Sequence, residues 1–384
     1  MRAQAWISQA VTAARARWRT MPAVRRLGSR SLLVLCCGLV SVGLASPAAA
    51  PTQAGDAPWV MPRTPDGHPD LQGNWTNATI TPIQRPEGQG PTLTPEQVAD
   101  VEGRRQNLID ALAQPSDPDR EAPPVGGDGS TGAAGGVGGY NYFYIDGGDQ
   151  VAVFNGEPRT SLVVDPADGR IPPLTPAARQ ARRQAAAVAR RAGGPYDNPE
   201  NRPLGERCLM SFGSNAGPPM LPNYFYNNNY TIVQTADHIM IMSEMVHDVR
   251  IIRLGERQPL AEHIRPWMGD SWGRWEGDTL VVETTNLPVK QLNGSRYIYP
   301  GGSENMKVIE RFTRADEHTI NYEFTVDDPT TYTRPWSGQV PFKALGDQVY
   351  EYACHEANYS LFNVLSGARA EERREAAKKK QEPR

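Results

Sequence analysis

Between Tyr230 and Glu356, apolar and polar residues alternate with a period of two, in short runs parted by Gly- and Asp-containing turns. Successive side chains of a strand point to opposite faces, so this pattern predicts strands with one face buried. Tyr230–Val233 turns at Ala236-Asp237 into Ile239–Met242, which leads into Val246–Ile252. Trp272–Trp275 turns at Glu276-Gly277-Asp278 into Thr279–Thr285. Val308–Thr313 turns at Ala315-Asp316-Glu317 into Thr319–Val326, and Gln339–Lys343 turns at Gly346-Asp347 into Val349–Cys354. Runs of this length joined by such turns form an antiparallel meander. An open sheet this wide would expose its edges, so the meander is expected to close into a lipocalin- or calycin-like barrel or to fold into a sandwich.

The pattern is weaker upstream. Leu71–Thr76 reads as a first strand, and Val151–Phe154 and Thr160–Val164 as short ones. Thr94-Pro95-Glu96-Gln97 places an N-cap Thr, a Pro at N1 and a Gln at N3, start signals for a helix running to about Leu112. Thr175-Pro176 starts a second accessory helix, rich in Ala and Arg, that ends at Gly193-Gly194. Residues 123–139 form a Gly-rich loop, and the tail after Ala368 reads as a solvated, charged helix. The expected organisation is a leader over 1–50 and an extended linker over 51–70. A single β-rich domain follows over 71–365, with the helical and Gly-rich insertions at 94–194, and a charged tail occupies 366–384.

The first fifty residues hold seven arginines and no acid, followed by a short apolar run from Ser31 to Ala45 and a small-residue stretch at Ala48-Ala49-Ala50. That is the layout of a secretory signal, which implies export to the periplasm or beyond; the run is short for a retained membrane anchor, the alternative reading. Of 40 basic residues the leader takes seven, leaving 33 against 43 acidic ones, a charge of −10. This balance argues against nucleic acid and anionic membrane surfaces as partners. Cys36 and Cys37 leave with the leader. The remaining Cys208 and Cys354 are most simply a disulfide in an oxidising compartment, worth ~5 kcal/mol by chain entropy for so long a loop; two buried free thiols are the alternative.

Several strings resemble a broad family of uncharacterised secreted bacterial β-rich proteins. They are Pro65-Asp66-Gly67-His68-Pro69-Asp70-Leu71 with Gly73-x-Trp75, Met245-Val246-His247-Asp248-Val249-Arg250-Ile251-Ile252, Gly273-Arg274-Trp275-Glu276-Gly277-Asp278-Thr279 running on to Thr285, and Asp327–Tyr332. The resemblance implies secretion and a β-rich fold and assigns no activity. Gly73-x-Trp75 on a first strand is also similar to the lipocalin signature, from which the two helices depart.

Candidate chemistry centres on two His-acid pairs, His247-Asp248 and His355-Glu356. If both segments are strands, each His points away from its neighbour: His247 lies with Val249 and Ile251, and Asp248 shares the other face with Arg250, which in the bland reading is an outward ion-pair face. His247 and His355 facing the barrel interior would meet across it as acid and base, with Glu283 as a third member. Asp248 and Arg250 complete the catalytic set, since a His titrating near neutrality both takes and releases protons and an Arg polarises developing negative charge. Tyr230, Asn229, Trp272 and Arg274 are the expected ligand contacts, drawn from aromatic clusters flanking Asn227-Asn228-Asn229 and spanning Trp267–Trp275. The bland alternative is that all of these are core or cross-strand polar residues. No metal-ligand spacing, nucleophile elbow, phosphate loop or dinucleotide fingerprint occurs, so neither metal nor cofactor is expected. The expectation is a cofactor-free lyase, isomerase or hydratase acting on a small apolar or aromatic molecule. A periplasmic carrier or sensor of a hydrophobic ligand, and a structural envelope protein, are the alternatives.

Overall fold

The computed structural model describes residues 59–114, 119, 121, 145–191, 193–211, 213, 215–288 and 301–381. The leader, residues 51–58 of the linker and the Gly-rich loop at 123–139 lie outside these. The strands are β1 (Gly73–Thr76), β2 (Val153–Phe154), β3 (Glu157–Pro158), β4 (Val163–Asp165), β5 (Asn229–Gln234), β6 (His238–Ser243), β7 (Val249–Leu254), β8 (Asp270–Glu276), β9 (Thr279–Thr285), β10 (Lys307–Asp316), β11 (Thr319–Asp327) and β12 (Trp336–Ala344). The helices are α1 (Pro95–Ala113), α2 (Pro176–Arg191) and α3 (Ser360–Gln381).

Ten strands bond in the order β1-β5-β6-β7-β8-β9-β10-β11-β12-β4, and β1 also pairs with β12. That last pairing, Trp75 opposite Ala344 and Thr76 opposite Lys343, closes nine strands into a barrel and leaves β4 as an appendage on β12. In a closed ring strand direction must return to its start, so the number of antiparallel contacts is even. Nine strands therefore require an odd number of parallel contacts, and the one present is β7 with β8. A parallel neighbour cannot follow a tight hairpin; residues 255–269, opened by Gly255 at φ +101 and closed by Gly269 at φ +73, carry the chain back. The hairpins elsewhere follow the turn chemistry of the sequence. At β8–β9, Gly277 supplies the φ of +59 that a two-residue turn needs at its first position.

Inward residues fill the barrel. Tyr230, Ile232, Ile239, Ile241, Ile252, Leu280, Val282, Val308, Phe312, Ile320, Tyr322, Phe324, Val340 and Phe342 are all buried in one apolar cluster. Gly338 has no side chain because Phe324 occupies the space, a Cβ there falling within 2.6 Å of two ring carbons. Trp75 seals the β1 end: its indole donates to the Leu71 carbonyl at 3.1 Å, and the Arg314 guanidinium lies 4.8 Å over its ring. Helix α1 opens on the expected capping box, Thr94 and Gln97 each accepting from the other's backbone N–H.

Three local expectations are corrected. Val349–Cys354 is not a strand, because β12 already pairs with both β11 and β1 and offers no free edge there. Val246 and His247 do not belong to β7 but to a single 3-10 turn, with φ +62 and +49. The faces of β7 are also the reverse of the expected ones. Val249 and Ile251 are exposed on the outside, and Arg250 points inward, 2% exposed, because it has a buried acid to meet there.

Candidate functional site

The polar residues of the interior gather at one end of the barrel, under the segment Asn215–Leu221, which is buried throughout and plugs that mouth. The Arg250 guanidinium donates to both oxygens of Glu310, at 2.7 and 3.1 Å, with both side chains at or below 1% exposure. The Tyr322 hydroxyl donates to the same carboxylate at 2.9 Å and accepts the Met220 N–H at 2.9 Å. The Tyr230 hydroxyl donates to the Asn215 carbonyl at 2.7 Å and accepts from Asn77 Nδ2 at 3.1 Å. Burial raises both phenols well above their ordinary range, so they stay protonated and act as donors. This ensemble is held together by its own bonds and by the plug. It pins the cap to the barrel and offers no open face to a substrate.

On top of the plugged end lies a second, more accessible group. Glu244 follows β6 and is 5% exposed; it accepts from Asn229 Nδ2 at 2.8 Å. The next turn carries Val246 and His247 in the left-handed region, where a β-branched residue is a genuine outlier. Such strain persists only where surrounding contacts over-determine it, and it is enriched at functional sites. Here Val246 is buried against Met245 and Cys208, which holds the turn and leaves the His247 ring exposed. His247 Nδ1 lies 3.3 Å from the Tyr352 carbonyl. A carbonyl only accepts, so in the neutral ring the proton sits on Nδ1 and Nε2 is the free base.

Asp248 stands beside it. Burial pushes its carboxyl up to about 6, against a backbone hydrogen bond from Ser211 and the His247 charge, which lower it. Its Oδ2 is buried without a hydrogen-bond partner among the described residues. Asp146 is also raised to about 6, by burial and by the charges of Glu244 and Asp149. It keeps an exposed edge, however, so Asp248 is the better-defined acid of the two.

Of the predicted site residues, the structure brings Asn229, Tyr230, His247, Asp248 and Arg250 to this end. Tyr230 and Arg250 lie below the plug, and the other three above it. His355 is exposed on the irregular segment after β12 and faces no barrel interior, so the two histidines do not meet across the lumen. Glu283 and Trp272 are register partners on the side of β8 and β9 that faces away from the lumen; Glu283 pairs with Arg257, and Trp272 is buried 4.3 Å beneath the Arg253 guanidinium. Arg274 is likewise outside, bonded to Glu276 at 2.7 Å. A surface groove of about 360 Å³ between Arg85, Glu87, Asp168 and Arg170 contains none of these residues. Among the described residues, no three His, Cys, Asp or Glu side chains converge as metal ligands, and no helix is long and apolar enough to cross a membrane.

Sequence reasoning missed Glu310, Tyr322, Asn77, Glu244 and Asp146. Glu310 did carry a signal: it occupies an inward phase of the alternation, between Val308 and Phe312, where an acid needs a buried cation. Asn77 and Asp146 sit in irregular segments, where alternation says nothing. Comparison with protein-family models, with curated proteins and with solved structures finds no match to this chain.

Proposed function

We propose that this protein is a small-molecule enzyme of lyase, isomerase or hydratase type, exported to the periplasm, with His247 and Asp248 as its acid–base pair. The observation that carries the reading is the Asp248 carboxyl, raised to about 6 with one oxygen buried and without a partner among the described residues, beside a histidine presented to solvent by a strained turn. A group titrating close to the working pH serves both as acid and as base, whereas an ordinary aspartate is too weak a base at neutrality. In this reading His247 Nε2 accepts the substrate proton, and Asp248 stabilises the imidazolium or exchanges the second proton. The neighbouring aromatic rings, Phe225 and Tyr226 at 4.6 Å from one another, supply an apolar shoulder for a small aromatic or apolar substrate.

The carrier reading has less support, because aromatic side chains and the plug fill the space a lipocalin-type ligand would occupy. The resemblance to secreted β-rich proteins fits export and leaves the reaction open. The test is turnover of a pool of small aromatic and terpenoid compounds by the purified protein, read by mass spectrometry, beside Asp248→Asn and His247→Ala. Either substitution is expected to lower turnover by about 10²–10⁴-fold. Wild-type turnover in both variants would remove the pair from the chemistry. Compounds retained unchanged by all three proteins would establish the carrier instead.

A further inference from the structure

We propose that residues 350–358 form a strap over the His247–Asp248 site, latched by the Cys208–Cys354 disulfide and released when a dithiol reduces it. The proposal rests on the catalytic reading of that site and adds its regulation.

The strap belongs to no strand or helix. It leaves the barrel after β12, where the Leu345 N–H donates to the Asn74 carbonyl, and runs to α3. Helix α3 has its own anchor: the Arg369 guanidinium donates to the carbonyls of Tyr196 and Asp197, each at 3.2 Å. Between these two ends the chain crosses the acid–base group. The Tyr350 N–H donates to Glu244 Oε1 at 3.3 Å, and the Tyr352 carbonyl accepts a hydrogen bond from His247 Nδ1 at 3.3 Å. Two residues on, Cys354 is bonded to Cys208, which itself packs on Met245 and Val246 beneath His247.

The strongest hold on this segment is the covalent link. Both hydrogen bonds to the site lie at the long end of the range, where such bonds are weak. The flanking aromatic side chains contribute little burial, Tyr350 being 71% and Tyr359 69% exposed. Lifting the strap breaks the packing of Tyr352 and Cys354 on Cys208 and the turn, together with the Asn358 Nδ2 contact to Cys208 Sγ at 3.3 Å, and leaves the nine-stranded ring intact. Cys354 is partly exposed and Cys208 nearly buried, so Cys354 is the sulfur a reductant reaches.

The exchange balances as follows. One thiolate of the dithiol attacks Cys354 Sγ, the S–S bond breaks, and Cys208 leaves as a thiolate that takes up a proton. The second thiol of the reductant then attacks the mixed disulfide and releases Cys354. Two electrons pass to the protein, which holds two thiols, and the dithiol becomes a disulfide. With the strap lifted, His247 Nδ1 loses its carbonyl partner and Glu244 gains solvent.

The experiment uses the folded protein with and without dithiothreitol, thiol content being counted in each sample. Hydrogen exchange is followed by mass spectrometry, and the His247 ring nitrogens by ¹⁵N NMR. Exchange across 350–358 is expected to quicken on the order of tenfold or more, with β10–β12 unchanged and the ring proton moving from Nδ1 towards Nε2. Three results overturn the proposal: a disulfide that resists reduction in the folded protein, unchanged exchange once it is reduced, or exchange that rises equally in the barrel strands. The Cys208→Ser/Cys354→Ser variant should reproduce the reduced state. Should it fail to fold, reduced wild-type protein decides alone. No substrate enters either readout, so a failure here is distinguishable from a failure of the catalytic reading.

Discussion

Replacing Glu310 with Leu tests whether the barrel interior depends on its ion pair. The substitution keeps side-chain volume roughly constant, so its effect is electrostatic rather than a cavity. It strands the Arg250 guanidinium, with its side chain 1% exposed and its Nε already without a partner among the described residues. It also removes the acceptor of the Tyr322 hydroxyl. Breaking one side of a buried pair typically costs about 3–5 kcal/mol, because the surviving charge cannot regain water. Against a total stability of roughly 5–15 kcal/mol this is a large fraction. Urea unfolding followed by tryptophan fluorescence, with the disulfide intact, should show the midpoint falling by about 1–2 M at an m-value near 3 kcal/mol/M. The double variant Arg250→Met/Glu310→Leu removes both charges, and should be more stable than the single one and close to wild type. A Glu310→Leu protein within about 1 kcal/mol of wild type would refute the argument. So would a double variant less stable than the single, since the pair would then contribute by packing.

Asp248 sets a pH dependence of opposite sign to the usual carboxylate. Its folded pKa, about 6, lies above the ordinary 3.8, so the folded state binds more protons between these values. Its contribution is fully present below pH 3.8 and is lost as pH rises to 6. Thermal unfolding of Asp248→Asn should accordingly show less loss between pH 4 and 6 and higher stability at pH 7, together with lost turnover; a steeper fall than wild type would contradict this assignment. Gly338→Ala should destabilise by about 1–3 kcal/mol in the same urea assay, since its Cβ meets the Phe324 ring and the Leu162 carbonyl; an unchanged midpoint would mean that the ring moves aside freely. Thr94→Ala should cost about 1 kcal/mol locally by removing the capping box of α1. That loss is readable as faster amide exchange over Pro95–Gln106 with the barrel unaffected, and unchanged exchange there would discount the cap.

The strands of the barrel were legible because each carries its own signal. The alternation in Ile239–Met242, Thr279–Thr285 and Thr319–Val326, and the turn at Gly277-Asp278, depend on residues two to five positions apart. The same holds for Thr94 and Gln97 at the head of α1. Closure was legible only as a class, because the pairing of β1 with β12 joins Trp75 to Ala344 and Thr76 to Lys343, most of the chain apart, and nothing local encodes it. The disulfide was expected from cysteine parity together with the expected leader, and Cys208–Cys354 is formed.

The candidate site was half legible. His247 and Asp248 stood out as a polar pair, and the structure keeps them adjacent, yet it moves them off the strand on which alternation had placed them. Arg250 was read as outward because Val249, Ile251 and Ile252 do not decide which face of β7 is apolar. Only the presence of Glu310 on β10, three strands further round the barrel, turns that side chain inward. The same reasoning separates His355 from His247: with β12 already bonded on both sides, Val349–Cys354 has no strand to join, and the segment crosses the barrel end instead. What the sequence determined by itself is the local backbone, because propensity, alternation and turn chemistry act over a few residues. What the tertiary structure alone decided is which polar groups are buried together, because a charge enters a barrel only where a partner from a distant strand offsets its lost hydration.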